Sequence, residues 1–305
     1  MSSTKHIPWL PTTRTCACTS SAQNCLSSRA WLRNQVPIWS FSDKELRTNF
    51  DLTSRTHHPA VFPSAIAKRV IRNYTHENET VLDLFSGVGT TLYAAQVCKR
   101  NAIGTELNKH FFDFTKQRLR LTEINSSSTP EQAQRKTKPG QILHLIHDDA
   151  RNILDYVPKN TIDLVFTSPP YWDMLKQPPS KRNQKAQRFL KDNYSNHPAD
   201  LSNSSNIHEF IKNIKDIFNK VHSVLKPGAS CIINTGDYRR AGDFIPLSNI
   251  YTATLHDLGL KLKNIIIWDR RREYDIGLFS YPNNFIVNNG MFEYLLDFNK
   301  VETMV

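Results

Sequence analysis

Apolar residues recur along this chain in two spacings that alternate from about residue 65 onward. Ala65 to Tyr74 places them at helical spacing, and Val81 to Leu84 then makes a short apolar run. Leu92 to Ala95 begins another helix-forming stretch. Ala102-Ile103, Ile142 to Ile146, Leu164 to Phe166, Ser230 to Asn234 and Ile265 to Trp268 read as strands. Helices are expected around Lys109 to Leu121 and Ile207 to Leu225, while the polar stretch 125 to 139 reads as a loop. Strands alternating with helices predict an α/β fold, a mostly parallel sheet with helices on both faces.

The first 42 residues break this rhythm. They are rich in Ser and Thr, carry Lys5, Arg14, Arg29 and Arg33, and contain no acidic residue before Asp43. Such a composition packs poorly, so a loose or accessory extension is expected, with the globular domain running from 43 to 305. The same composition faintly resembles an organellar transit peptide.

Two motifs carry chemistry. In the first, Val81-Leu82-Asp83-Leu84-Phe85 enters the turn Ser86-Gly87-Val88-Gly89-Thr90, where a helix begins. Glycines there let backbone approach a ligand, and a helix N-terminus adds a positive dipole end. A lone Gly-x-Gly is weak, because tight strand-to-helix turns need glycine anyway. The strand ending at Glu106 strengthens it: in nucleotide-binding sheets an acid at that place accepts from ribose hydroxyls. In the second motif, Thr167-Ser168-Pro169-Pro170-Tyr171-Trp172 closes the apolar run 162 to 166. Pro169 biases Ser168 toward an extended backbone, and neither proline has an N–H. A stiff set of acceptors beside a stacking ring suits a planar group bearing an exocyclic amine.

With these motifs the chain resembles the amino-group DNA methyltransferases, especially those of the Ser-Pro-Pro-Tyr type acting on cytosine N4. His58-Pro59-Ala60-Val61-Phe62-Pro63, the segment 82 to 91 and Ile103 to Asn108 look like the cofactor half of that family. Thr167 to Tyr171 looks like its catalytic half, and Leu225-Lys226-Pro227-Gly228, Ile266-Ile267-Trp268 and Phe292 to Leu296 look like its later strands. The resemblance implies a Rossmann-like methyltransferase fold with S-adenosyl-L-methionine as cofactor. Phe62, Asp83, Phe85, Gly87, Gly89, Thr90, Glu106 and Asp149 are then its cofactor-binding residues, with Asp148 the alternative to Asp149 for the adenine amino group. One of those two acids could instead cap the next helix. Phe62 could equally be core. Ser168, Pro169, Pro170 and Tyr171 become the catalytic residues, with Tyr171 stacked on a base flipped out of the duplex. Many relatives with a His-Pro-x-x-Phe-Pro segment place the catalytic motif first, so the order here reads as a circular permutation.

Composition agrees with a nucleic-acid partner, which the resemblance implies is double-stranded DNA. The chain has 305 residues, 39% of them hydrophobic, and a formal net charge of +11, which attracts a polyanion. Residues 172 to 206 follow the catalytic motif with Lys176, Lys181, Arg182, Lys185, Arg188 and Lys191 and few acids, a candidate target-recognition insertion or else a solvated loop. Lys181, Arg182, Lys185 and Arg188 are the named nucleic-acid contacts, with Arg239-Arg240 and Arg270-Arg271-Arg272 similar candidates. Trp172 and Gln177 are weaker ones. No apolar run approaches membrane-spanning length. The five cysteines show no paired metal spacing, since Cys16-Ala17-Cys18 is tighter than a Cys-x-x-Cys clip, so no metal is expected. No cysteine follows a proline or sits in the catalytic motif, which excludes methylation at cytosine C5 through a thiolate. A reducing bacterial cytoplasm, a monomer or weak dimer, and a partner restriction endonuclease complete the expectation. Adenine N6 is the runner-up target. An RNA or protein methyltransferase and a catalytically silent nucleic-acid binder are the readings from other classes.

Overall fold

The computed structural model describes residues 7, 16–18, 24–58, 60–124, 130–137, 140–176, 195, 197–240, 242–271 and 289–301. A ten-stranded sheet organises them. In chain order its strands are β1 (Ile38–Trp39), β2 (Thr80–Asp83), β3 (Asn101–Glu106), β4 (Thr122–Glu123), β5 (Gln132–Lys136), β6 (Ile142–His147), β7 (Ile162–Thr167), β8 (Leu225–Thr235), β11 (Leu260–Asp269) and β12 (Phe292–Lys300). A separate hairpin pairs β9 (Tyr238–Arg240) with β10 (Asp243–Ile245). The spatial order is β1-β11-β12-β8-β7-β2-β3-β6-β5-β4. Among the described residues four helices, α1 (Ser28–Asn34), α2 (Asp43–Leu46), α3 (Asn49–His57) and α4 (Ser64–Tyr74), come before the central strands.

The five central strands β8, β7, β2, β3 and β6 run parallel. Both of their faces are covered, which is why they read as near-continuous apolar runs. Adjacent residues of one strand serve opposite layers. Val81 of β2 joins Leu164 and Phe166 of β7 under α4 (Ser64–Tyr74), α5 (Thr90–Val97) and α6 (Lys109–Arg118). Leu82 joins Val165 under α7 (Ile207–Val224) and α8 (Leu247–His256), which contribute Phe210, Phe218 and Tyr251. The α/β architecture with helices on both faces is therefore the one expected.

Two expectations are corrected. The segment 125 to 139 is not all loop: β5 pairs antiparallel with β6 from Gln132↔Ile146 to Lys136↔Ile142. Ala133 is fully buried there, a lone apolar position that polar neighbours hid. Nor do residues 24–42 form a loose extension. The short helix α1 leads into β1, which adds parallel to β11 with Trp39 opposite Trp268. Trp39 is buried, and the Arg69 guanidinium lies 4.3 Å above its ring. Two aromatics, Trp39 and Phe41, outweigh the polar composition around them. No described helix is long and apolar enough to cross a membrane.

Candidate active site

The chain order reverses between β2 and β7. From β2 the sheet grows one way through β3 and β6, and the other way through β7 and β8. In open α/β sheets the crevice at the carboxyl ends beside such a point receives ligands. Both chemical motifs end there, tied by one hydrogen bond: Thr167 Oγ1 donates to Asp83 Oδ1 at 2.7 Å. Asp83 is buried, which raises its pKa against the help of that hydroxyl and of the Phe85 N–H.

The turn after β2 is fixed from several sides. Gly87 and Gly89 have φ of +51° and +79°, which L side chains rarely adopt. At Gly89 a Cβ would also stand 2.6 Å from Thr115 Cγ2. The Gly87 N–H donates to Glu106 Oε2 at 2.6 Å, and the Asn108 N–H to Oε1 at 2.8 Å. Glu106 thus sits under the glycine turn with both oxygens oriented. Burial nevertheless pushes its carboxyl up to about 7, with the charges of Asp83 and Asp200 adding to the rise. Thr90 opens α5, and its buried Oγ1 has no partner among the described residues.

Two residues that pack against this turn, Gly104 and His58, lay within the quoted motifs but were given no role of their own. Gly104, mid-strand in β3, faces Ser86 and Leu92, where a Cβ would fall 2.8 Å from Leu92 Cδ1 and closer still to Ser86 Oγ. Its signal was a glycine inside a strand pattern. His58 lies against Gly87, with its Nδ1 accepting from the Ala60 N–H. Burial lowers its pKa to about 4, so the ring is neutral at pH 7. Phe62, half-buried, packs against Phe166 at 5.1 Å with the rings tilted by 60°, on the margin of the core. Phe85 packs against the opposite layer. Asp149 caps the 3-10 turn Ala150–Asp155 and is gripped by the Arg151 guanidinium, while Asp148 accepts from Tyr156 and Asn152.

On β7's side, Ser168 Oγ donates to the Asn234 carbonyl at 3.1 Å. A hydroxyl has one proton and two lone pairs, so this bond leaves Ser168 as an acceptor toward the crevice. Pro169 is buried and Pro170 half-buried. The Tyr171 hydroxyl donates to Glu293 Oε2 at 3.2 Å, Asn234 Nδ2 donates to the same oxygen at 2.8 Å, and Arg270 pairs with the other. These three residues hold the Tyr171 ring in place, and none was singled out from the sequence as its support. Asn234 Oδ1 and Thr235 Oγ1, buried at the end of β8, have no partner among the described residues.

Three of the basic candidates, Arg240, Arg270 and Arg271, are paired with acids of this chain. Arg270 is committed to Glu293 and stacks on Trp268, and Arg271 pairs with Asp269. Arg240 pairs with Asp173 and lies over Trp172, tying the β9–β10 hairpin to the loop after β7, while Arg239 is exposed and donates to the Gly242 carbonyl at 3.3 Å. Trp172 is buried at a φ of +45°, rare for a bulky residue. Lys181, Arg182, Lys185, Arg188, Lys191, Gln177 and Arg272 lie outside the described residues.

The DNA methylase family matches residues 17–117 and 162–303, and the chain belongs to it. Among curated relatives, it is 33% identical over 87 residues to the type II methyltransferase M.ScaI of Streptomyces caespitosus, covering 28% of this chain and 29% of that one. It is 34% identical over 83 residues to the orphan methyltransferase M.BamHII of Bacillus amyloliquefaciens, covering 27% and 31%. The chain thus spans less than a third of the length of either relative. A Thermus thermophilus protein described as a DNA modification methylase, solved with S-adenosyl-L-methionine, aligns with 25% identity over 51% of this chain and 52% of its own, at a TM-score of 0.34.

S-adenosyl-L-methionine is the cofactor of this family, and the residues present fit it. An oriented acid below a left-handed glycine turn, a helix N-terminus and an unpartnered buried hydroxyl at Thr90 are what a nucleoside with a charged tail requires.

Proposed function

We propose that this protein transfers a methyl group from S-adenosyl-L-methionine to an exocyclic amine of double-stranded DNA, the N4 of cytosine. The reading is carried by Ser168, whose hydroxyl is committed as donor to the Asn234 carbonyl directly beside the cofactor turn. The bound cofactor supplies an electrophilic methyl group. In this reading Glu106 takes the ribose hydroxyls, Gly87, Gly89 and Thr90 line the methionine end, and Asp149, Phe62 and Phe85 hold the adenine. Asp83 carries the turn to Thr167 and so sets the spacing between the two motifs.

An aromatic amine is a poor nucleophile because its lone pair is delocalised into the ring. Ser168 Oγ and the carbonyl of Ser168 accept its two N–H bonds and favour a pyramidal nitrogen, leaving the lone pair directed at the methyl group. With the cofactor bound, the N–C bond would form as the S–C bond breaks, and the methylated nitrogen would give up one proton through Ser168 or water. Pro169 and Pro170 keep the acceptors rigid, and Tyr171, pinned by Glu293 and Asn234, stacks on the base. Alignment and preplaced acceptors supply the acceleration. A target inside the duplex reaches this crevice by flipping out. Serine at position 168 favours cytosine, since its relatives acting on adenine mostly carry Asp or Asn there. We assign Lys181, Arg182, Lys185 and Arg188 to phosphate contacts, and we infer a restriction-modification setting with a partner nuclease.

The test is methyl transfer from labelled cofactor to unmethylated genomic DNA, read by nucleoside mass spectrometry. N4-methylcytosine is expected, and Ser168→Ala should reduce it by about 10²- to 10³-fold with cofactor binding kept. N6-methyladenine would overturn the base assignment, and no label in DNA would overturn the reaction.

A further inference from the structure

We propose that Cys16, Cys18, Cys25 and His76 bind one zinc ion that clamps the N-terminal segment to the amino end of the sheet. Their four ligand atoms lie within 4.8 Å of one another. Cys18 Sγ is 3.3 Å from Cys25 Sγ, and His76 Nδ1 is 3.3 Å from Cys16 Sγ and 3.4 Å from Cys25 Sγ. A zinc tetrahedron with arms of about 2.3 Å to sulfur and about 2.0 Å to nitrogen has edges of roughly 3.5–3.8 Å. Three of the six separations fall a few tenths of an ångström short of those edges and none exceeds 4.8 Å, so small side-chain movements admit the ion.

The surroundings are built for it. Asn24 and Cys25 both adopt left-handed backbone, with φ of +44° and +63°, unusual for two consecutive residues that are not glycine. This bend turns Cys25 Sγ toward the Glu77 N–H, which donates to it at 3.4 Å, the kind of amide support that metal-bound thiolates receive. Three thiolates and Zn²⁺ sum to one negative charge. The buried Arg100 guanidinium stands beside it, donating to the Asn24 carbonyl at 3.3 Å and to the Thr75 carbonyl. Those two residues precede the ligands Cys25 and His76 in the chain.

Soft sulfur with one imidazole selects zinc, and four protein ligands leave no open position, so the site is structural. Its place agrees. His76 lies just ahead of β2, at the opposite end of the sheet from Asp83 and Ser168. The spacing Cys-x-Cys followed by a third cysteine escaped detection because the fourth ligand arrives 51 residues after Cys25 and is not a cysteine.

The full chain, purified under reducing conditions without added metal or a metal-affinity step, should carry about one zinc per molecule by elemental mass spectrometry. Cys18→Ser and His76→Ala should each lose it and melt earlier, while Cys98→Ser, a buried cysteine elsewhere, keeps it. Should these variants fail to fold, cobalt(II) exchange into the unaltered chain gives an independent reading: tetrahedral thiolate–cobalt absorption is expected. Absence of both zinc and those bands, zinc retained in both ligand variants, or a Cys18–Cys25 disulfide in the freshly isolated protein would overturn the site.

Discussion

The two ends of this sheet are assembled differently. At the carboxyl end, groups from β2, β3, β7 and β8 converge because parallel strands stop side by side. Asp83, Glu106 and Ser168 all lie at or just beyond a strand end. At the amino end, Cys16, Cys18, Cys25 and His76 meet although no common element brings them there. The first end is a crevice that topology provides and polar side chains furnish. The second is a fastening. Changes at the carboxyl end should therefore cost activity with little stability, and changes at the amino-terminal segment the reverse.

The sharpest test of that division is Trp39→Ala. Trp39 is 1% exposed, its indole N–H donates to the Val36 carbonyl at 2.9 Å, and Arg69 covers its ring. Its removal should destabilise the protein by about 3–5 kcal/mol. The activity of the molecules that remain folded should be unchanged, because the residue lies on the edge strand β1, away from the crevice. Denaturant unfolding with parallel activity assays reads both. A small stability loss would return residues 24–42 to the loose extension that their composition suggests.

That contrast also explains what could be read from the chain alone. The central strands are covered on both faces, so β2, β3, β6 and β7 announced themselves as apolar runs, and the motifs at their ends lay within a few residues of each run. Residues that act across the sheet were invisible. Asn234, Glu293 and Arg270 support Tyr171 from 63, 122 and 99 positions away, and nothing local marks any of them. Arg240, Arg270 and Arg271, read as candidate nucleic-acid contacts, are each paired with an acid, since clustered charge in a sequence does not disclose the acid opposite. β1 was hidden by its two-residue length, and β5, paired between β6 and the two-residue β4, because Ala133 is its only apolar residue.

Gly104→Ala breaks the division on purpose, because the glycine belongs to both the packing and the turn. A Cβ there displaces Ser86, whose Oγ donates to the Asp83 carbonyl at 3.2 Å and whose N–H donates to the Thr105 carbonyl at 3.0 Å. Overpacking of this kind costs about 1–3 kcal/mol. Ser86 precedes Gly87, so cofactor affinity should fall together with melting temperature. Calorimetric titration beside thermal melts checks the pair, and a stability loss with unaltered affinity would separate the strand from the turn.

The smallest effect is a pH dependence at Glu106. Its folded pKa is raised to about 7, from an ordinary value of 4.5, because burial disfavours the charge more than the Gly87 and Asn108 N–H groups favour it. Between those values the folded state holds a proton that the unfolded state has released. The associated stability is thus complete below pH 4.5 and is lost as pH rises to 7. Ribose binding runs the other way, since a carboxylate accepting hydroxyl donors must be ionised. With a free carboxyl at about pH 7 and a lower pKa once ribose is bound, cofactor affinity should rise up to about tenfold from roughly pH 6 to 8. Proton release on binding should be measurable by calorimetry in buffers of different ionisation enthalpy. Glu106→Gln should bind more weakly and with a flat profile over that range, His58 being neutral throughout because its pKa is lowered to about 4. A variant that keeps the slope would place the titrating group elsewhere in the crevice, and Asp83, the other buried acid there with a raised pKa, would be the next to substitute.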